Sequence, residues 1–306
     1  MAAPRRRSSC CALLADRVAR WRNSSGTWGD SVISNRQIEQ YHRDGYTLLE
    51  NLIDQDQLQE VRASYEQTIE AALTLGHAQR NEETGRLKGH RFQNPHHPAL
   101  ARSPLMQALA ASDVVKFARK VCGSDPAMLG IAAFAMEQNF DYLPDWHRDS
   151  YAAWGKDSPE ELRVRHMKKI PATQVLLALE DDASFWFVPG SHNRANTALE
   201  EARFEEGRTG WQESFEGAIQ VEVAAGSAVP FDARGIHRGL KRSGVRRRSL
   251  FVVYGTAEEA RHSTISGWAR EAEYAEQTYL ESLPDNFRRA VEQTIAAVHY
   301  NWVDAR

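Results

Sequence analysis

Two residues in the stretch "LPDWHRDSY", His147 and Asp149, could do chemistry together. They stand two apart, just after the apolar run "IAAFAMEQNF". On an extended segment, side chains two apart point the same way, so an imidazole nitrogen and a carboxylate oxygen can reach one ion. Alone, His-x-Asp is also an ordinary surface-loop pair. A second histidine changes its weight. His237 ends the bend "DARGIH", between two runs that read as strands. Two histidines and one carboxylate, one pair close and one member distant, form the ligand set of a mononuclear non-haem Fe(II) centre. Such a triad covers one face of the metal and leaves the other open to a cosubstrate and O2.

A basic run follows, "VRRRSLFVV". By the strand period of two, Arg247 and Ser249 share one face and Arg248 points to the other. A guanidinium fork with a hydroxyl beside it is a good receptor for a carboxylate. 2-Oxoglutarate chelates iron through its keto-acid end, and its second carboxylate needs such a partner. Arg246 reads as part of a solvated hairpin loop. Gln138, on the strand preceding His147, is a candidate donor to the cosubstrate, with a structural amide as the competing role.

Other polar residues carry plainer expectations. "PGSH", Pro189 to His192, is a turn closing a strand. His90, His96 and His97 are surface histidines of a long polar loop, "GHAQRNEETGRLKGHRFQNPHHP". Loops of that length are often lids, and Arg91 on it could meet an anionic substrate or cosubstrate. Asp181 and Asp182 read as a solvated turn. Phe140, Trp146 and Trp186 read as core, while Tyr151 and Trp154 could line an apolar pocket beside the metal.

The elements that must position these residues follow from patterning. Ser34 or Asn35 caps a helix over Arg36 to His42, which Asp44-Gly45 ends. "YTLLENLI" reads as a short strand. Leu58, Val61, Tyr65, Ile69 and Leu73 mark a second helix, and "SPLMQALAASDVVKFARKVCG" a third. From Ala127 the texture changes to short apolar runs between Pro, Gly and Asp: "MLGIAAFAMEQNF", "ATQVLLALE", "FWFVPG", "IQVEVAAG", "AVPFD" and "SLFVVYG". That spacing predicts an antiparallel barrel or jelly roll, and the tail returns to helix. The expected fold is mainly β with flanking helices. Residues 1–30, Arg- and Ser-rich, read as a flexible arm, and residues 31–306 as one domain.

The 306 residues carry a formal charge of −3. That balance gives no push toward nucleic acid or an acidic membrane surface. No apolar run reaches the ~20 residues of a spanning helix. Cys10, Cys11 and Cys122 offer no disulfide framework or zinc knuckle. A cytoplasmic location is expected, or an organelle if the N-terminal arm is a transit peptide. Partners are expected to be small molecules, with the oligomeric state open.

The order His147-x-Asp149, "FWFVPGSH", "GSAVPFDARGIH", "RRSLFVVY", behind the opening "QIEQYHRDGYTLLENLIDQDQLQEVR", resembles the phytanoyl-CoA dioxygenase family of Fe(II)/2-oxoglutarate oxygenases. The resemblance runs from about Ser34 to Thr256. It implies a double-stranded β-helix, His147, Asp149 and His237 as iron ligands, and Arg247 as the 2-oxoglutarate anchor. The segment from His237 to Arg247 is one residue shorter than is common in the family, which keeps Arg248 open as the anchor. Arg238 follows His237 where Gly is frequent, which would put a cation at the pocket mouth. The expected activity is a hydroxylation at an unactivated C–H bond. Asp149 argues against a halogenase, which needs the carboxylate's position free. The rivals are a cupin-like metalloenzyme that does without 2-oxoglutarate, and a non-catalytic binding module of the same fold.

Overall fold

The computed structural model describes residues 33–149, 171–205 and 214–303. The N-terminal arm, Tyr151 and Trp154 lie outside them. The first helix, α1 (Asn35–Asp44), begins where a capping box is written: the Ser34 hydroxyl accepts from Gln37 N–H, and the Gln37 side chain accepts from Ser34 N–H. Gly45 ends it at φ 88°, and a side chain there would strike His192 and Phe187. Glycine is thus required twice at that position. The next helix, α2 (Gln55–Thr74), is capped by Asp54 and buries Leu58, Val61, Tyr65 and Ile69, as their spacing predicts.

Two expectations about local elements are corrected. "YTLLENLI" forms only isolated bridges, Tyr46 to Phe231 and Leu49 to Ala228. It runs along the edge of the sheet without making a ladder. The single helix expected over 103–123 is two, α3 (Ser103–Leu109) and α4 (Ser112–Cys122). Ala108 to Ala111 are all buried, and Ala111 leaves helical angles at φ −43°, ψ 120°. Packing at that corner overrides the weak propensity for one continuous helix.

Among the described residues, eight strands make two antiparallel sheets. The larger is ordered β1 (Arg91–Gln93), β2 (Ala127–Met136), β8 (Arg247–Gly255), β3 (Thr173–Ala178), β6 (Ala228–Phe231). The smaller is ordered β5 (Ile219–Val223), β4 (Asp182–Phe187), β7 (His237–Gly239). Alternation on the strands separates two cores. Leu250, Val252 and Tyr254 of β8 and Val175 and Leu177 of β3 pack under the helices, including the last described one (Asp285–Val303), with Phe287, Ala290 and Val291. Phe251, Val253, Leu176 and Phe231 face the other way and meet Phe185 and Phe187 of the smaller sheet. The architecture is the expected double-stranded β-helix with helices on its outer face. None of the described helices is long and apolar enough to cross a membrane.

Candidate metal and cosubstrate site

His147 and His237 are distant in sequence but neighbours across a backbone pairing. His147 N–H donates to His237 O at 3.0 Å, and His237 N–H donates back to His147 O at 2.9 Å. Two residues on, Asp149 N–H donates to Ala233 O at 2.7 Å. The segment that carries His147 thus extends the smaller sheet beyond β7. The bend expected at "DARG" is braced from within, since Asp232 accepts from both the backbone and the guanidinium of Arg234. Arg148 points the other way and donates to Ser191 O and Arg234 O, each at 2.6 Å, tying the strand to both flanking loops.

The ring nitrogens are sorted by their partners. Nδ1 of His147 lies 2.9 Å from Asp145 O, and Nδ1 of His237 lies 2.9 Å from Gly235 O. A carbonyl only accepts, so both Nδ1 atoms carry the hydrogen and both Nε2 atoms keep a lone pair in the neutral rings. Those Nε2 atoms face Asp149: His147 Nε2 is 3.7 Å from Oδ1, and His237 Nε2 is 3.7 Å from Oδ2. One donor atom from each of the three residues falls within 4.8 Å of the others. Burial first, and then the neighbouring His147, pushes His237 down to about 4, with Asp149 offsetting only part. His237 is therefore neutral near pH 7, the form that donates an electron pair.

Gln174 is a site residue that sequence reasoning missed. It sits on β3, and its side-chain amide donates to Asp149 Oδ2 at 2.8 Å. Its signal was a lone amide in the apolar run "ATQVLLALE", on the same strand face as Leu176 and Ala178.

The triad opens on a cavity of about 530 Å³. β8 supplies Arg247, Phe251 and Val253 to its wall; Arg91 and Gln93 come from β1, and Ile265 and Trp268 also line it. The period of two therefore places Arg247 as expected, and Ser249 lies on the same face, fully buried, its Oγ without a hydrogen-bond partner. The Arg247 guanidinium is flanked by the rings of Phe134 and Phe251, 5.3 and 5.8 Å from their centroids. Its Nε donates to Asp182 Oδ2 at 2.8 Å, with both side chains 3% exposed. Its Nη2 is buried with no hydrogen-bond partner.

Several expectations are revised here. Asp182 is not a solvated turn residue but the buried partner of Arg247, its second oxygen accepting from Ser184 N–H. Arg248 does take the opposite face, yet it is buried there too, held by Glu66 at 2.7 Å and Glu137 at 2.6 Å. Arg246 is exposed, as a solvated loop residue should be, and pairs with Glu66. Gln138 lies past the end of β2, exposed in a turn and outside the cavity lining, because the strand stops at Met136. Arg238 does line the cavity, but it is buried there against the rings of Trp146 and Trp186, 4.3 and 5.5 Å from their centroids. His96 and His97 are buried, not surface residues. His96 packs edge-on to Trp268 at 4.6 Å, and His97 meets Glu273 at 3.3 Å. His192 is buried with Nε2 against His42 O, away from the triad. Arg91 does reach the cavity, at the start of β1.

The family model of phytanoyl-CoA dioxygenase (PhyH) matches residues 41–249 of the chain. The fold is similar to that of EctD from S. alaskensis, crystallised with 2-oxoglutarate and 5-hydroxyectoine, at 19% identity and a TM-score of 0.55 over 76% of this chain and 79% of that one. It is similar to AviO1 from Streptomyces viridochromogenes Tue57 at 19% identity and a TM-score of 0.52, over 74% of this chain and 96% of that one. It also resembles SnoK, a non-heme alpha ketoglutarate dependent carbocyclase from nogalamycin biosynthesis, at 16% identity and a TM-score of 0.52, over 74% of this chain and 85% of that one. At such identities the likeness is one of fold. No curated protein matches the sequence significantly.

Proposed function

The chain belongs to the phytanoyl-CoA dioxygenase family, and from that premise we propose how its residues carry out Fe(II)- and 2-oxoglutarate-dependent oxygenation. His147, Asp149 and His237 hold the iron, and Arg247 receives the distal carboxylate of 2-oxoglutarate. The observation that carries this reading is the convergence of two Nε2 lone pairs and one carboxylate at the mouth of a single cavity. Such a donor set suits Fe(II) and leaves one face open. Bound there with 2-oxoglutarate and O2, Fe(II) supplies the oxidation of a C–H bond, with succinate and CO2 as coproducts.

The chain's own residues do the rest. The carbonyls of Asp145 and Gly235 fix the tautomer and the ring plane of each histidine. Gln174 holds one oxygen of Asp149, so the carboxylate meets the metal already oriented. Phe134 and Phe251 keep the surroundings of the Arg247 guanidinium apolar, which strengthens each charge pairing made there. The substrate is a small molecule hydroxylated at an unactivated C–H bond. The cavity lining offers it apolar surface from Ile265 and Trp268 and polar contacts from Arg91 and Gln93. One observation favours a metalloenzyme that does without 2-oxoglutarate: Arg247 already has an anion, Asp182. Against it stands the buried Nη2 of Arg247, which has no partner.

Asp149→Ala is the direct test of the metal assignment. It should weaken Fe(II) binding at equilibrium and abolish 2-oxoglutarate consumption, with the far-ultraviolet circular dichroism unchanged. Unaltered Fe(II) affinity in this variant would remove the carboxylate from the ligand set.

A further inference from the structure

The Arg247–Asp182 pair is an odd feature for a cosubstrate anchor. A receptor for a carboxylate gains nothing from a second carboxylate already bound to it. Yet the geometry leaves room for both. Asp182 takes only Nε of the guanidinium, through Oδ2 at 2.8 Å. Its Oδ1 is held by Ser184 N–H at 2.7 Å, so the carboxylate is fixed in place from behind. The two terminal nitrogens are left unserved by Asp182: Nη2 has no partner among the described residues, and Nη1 lies beside Gly239 on the cavity wall, 3.3 Å from where a Cβ on that glycine would stand.

We infer that Asp182 is the resident counter-charge of the cosubstrate anchor. Asp182 and the distal carboxylate of 2-oxoglutarate share one guanidinium, Asp182 on Nε and the cosubstrate on the Nη end. Asp182 thereby sets how tightly and how selectively the cosubstrate binds. This inference rests on the iron and 2-oxoglutarate reading above.

The physical case is a cycle. A buried guanidinium without an anion is costly, so the empty protein needs Asp182 to keep Arg247 paired and in place. When 2-oxoglutarate binds, two carboxylates lean on one cation in a buried setting, and they repel each other. Removing Asp182 therefore harms the empty protein more than the loaded one. By linkage, cosubstrate affinity must rise by the same factor. Selectivity follows from the same source. 2-Oxovalerate has the keto acid and the chain of 2-oxoglutarate but no distal carboxylate. With Asp182 present, binding it does not leave Arg247 bare, so discrimination between the two acids is muted.

The test is anaerobic titration of the Fe(II) protein with 2-oxoglutarate and with 2-oxovalerate, following the visible charge-transfer band, in wild type, Asp182→Ala and Asp182→Asn. The expected result is 2-oxoglutarate binding tighter by about tenfold or more in the variants, the size of one close charge interaction, with 2-oxovalerate unchanged. Melting without cosubstrate should come at lower temperature in the variants, and the rise on adding 2-oxoglutarate should be larger than in wild type. Unchanged or weaker 2-oxoglutarate binding would mean that Asp182 merely positions Arg247 and would overturn the inference. So would a parallel tightening for both acids, since the effect would then not run through the guanidinium. A wild type that gives no band with 2-oxoglutarate would instead bring down the underlying reading.

If both variants fail to fold, wild type alone still decides. The Nε–H resonance of Arg247, identified by its loss in Arg247→Lys, should persist when the Zn(II)-substituted protein is saturated with 2-oxoglutarate. Its disappearance on binding would show that Asp182 is displaced rather than shared.

Discussion

Replacing Gln174 by leucine removes one hydrogen bond and very little volume, and the consequence should appear at the metal. The Gln174 amide donates to Asp149 Oδ2 at 2.8 Å, while the nearest histidine nitrogens stand 3.7 Å from that carboxylate. Without Gln174, the side chain of Asp149 keeps no hydrogen bond from the described residues, and only the backbone tie from Asp149 N–H to Ala233 O remains. The side chain is 39% exposed, so water can occupy the vacated position and the carboxylate can rotate away. Loss of a partner that orients a metal ligand typically weakens metal affinity ~10- to 100-fold, or about 1.4–2.8 kcal/mol. The assay is competition for Fe(II) against a chelator of known affinity, under nitrogen, with Gln174→Glu as companion. The glutamate sets a second carboxylate against Asp149 and should disturb the site at neutral pH. Fe(II) affinity equal to wild type in Gln174→Leu would refute the view that Asp149 needs orienting.

The remaining predictions concern β8 and the buried histidine. Arg247→Ala should weaken 2-oxoglutarate binding by more than ~tenfold and leave Fe(II) affinity nearly intact, and because it strands Asp182 it should also lower stability by about 3–5 kcal/mol. Arg248→Ala should leave 2-oxoglutarate binding untouched while lowering the denaturation midpoint, since its ion pairs to Glu66 and Glu137 lie on the other side of the sheet; a large cosubstrate effect there would shift the strand register by one. His96 is buried with neither ring nitrogen hydrogen-bonded, and burial, then His97, pushes it from 6.5 down to about 3. The unfolded chain therefore binds its proton near 6.5 while the folded protein does not, so this stability is intact above that pH and drains away as pH falls toward 3. His96→Phe removes the titration, and its melting temperature should gain on wild type progressively below pH 6.5; a constant difference across that range would contradict the assignment.

Much of the fold was readable because its signals are local. Ser34 and Gln37 write a capping box, Gly45 a stop, and alternation on β8 divides Leu250 and Val252 from Phe251 and Val253. The grouping of His147, Asp149 and Arg247 was readable for the same reason, since a period of two fixes which way side chains point. What stayed hidden depends on contacts between distant segments. Nothing local in "LEDDAS" says that Asp182 is buried against Arg247, and two acids after an apolar run ordinarily mark a solvated turn. His96 and His97 sit in a polar loop, and only the tail that folds back over it, with Trp268 and Tyr274, buries them. Gln138 was misplaced by where the strand ends, a boundary set by the hairpin contact from Gly244 N–H to Gln138 O at 2.6 Å. Gln174 was the one hidden residue with a usable sign, a polar side chain on the inner face of an otherwise apolar strand.

The central claim is that one cavity holds Fe(II) at His147, Asp149 and His237 together with 2-oxoglutarate at Arg247. It is tested most directly by adding 2-oxoglutarate to the anaerobic Fe(II) protein and recording its visible spectrum, in wild type and in His237→Ala. The account predicts a weak charge-transfer band in wild type that saturates at one equivalent of Fe(II), and no band in the variant. A wild-type protein that binds Fe(II) but shows no band at saturating 2-oxoglutarate, or a band that survives in His237→Ala, would contradict it.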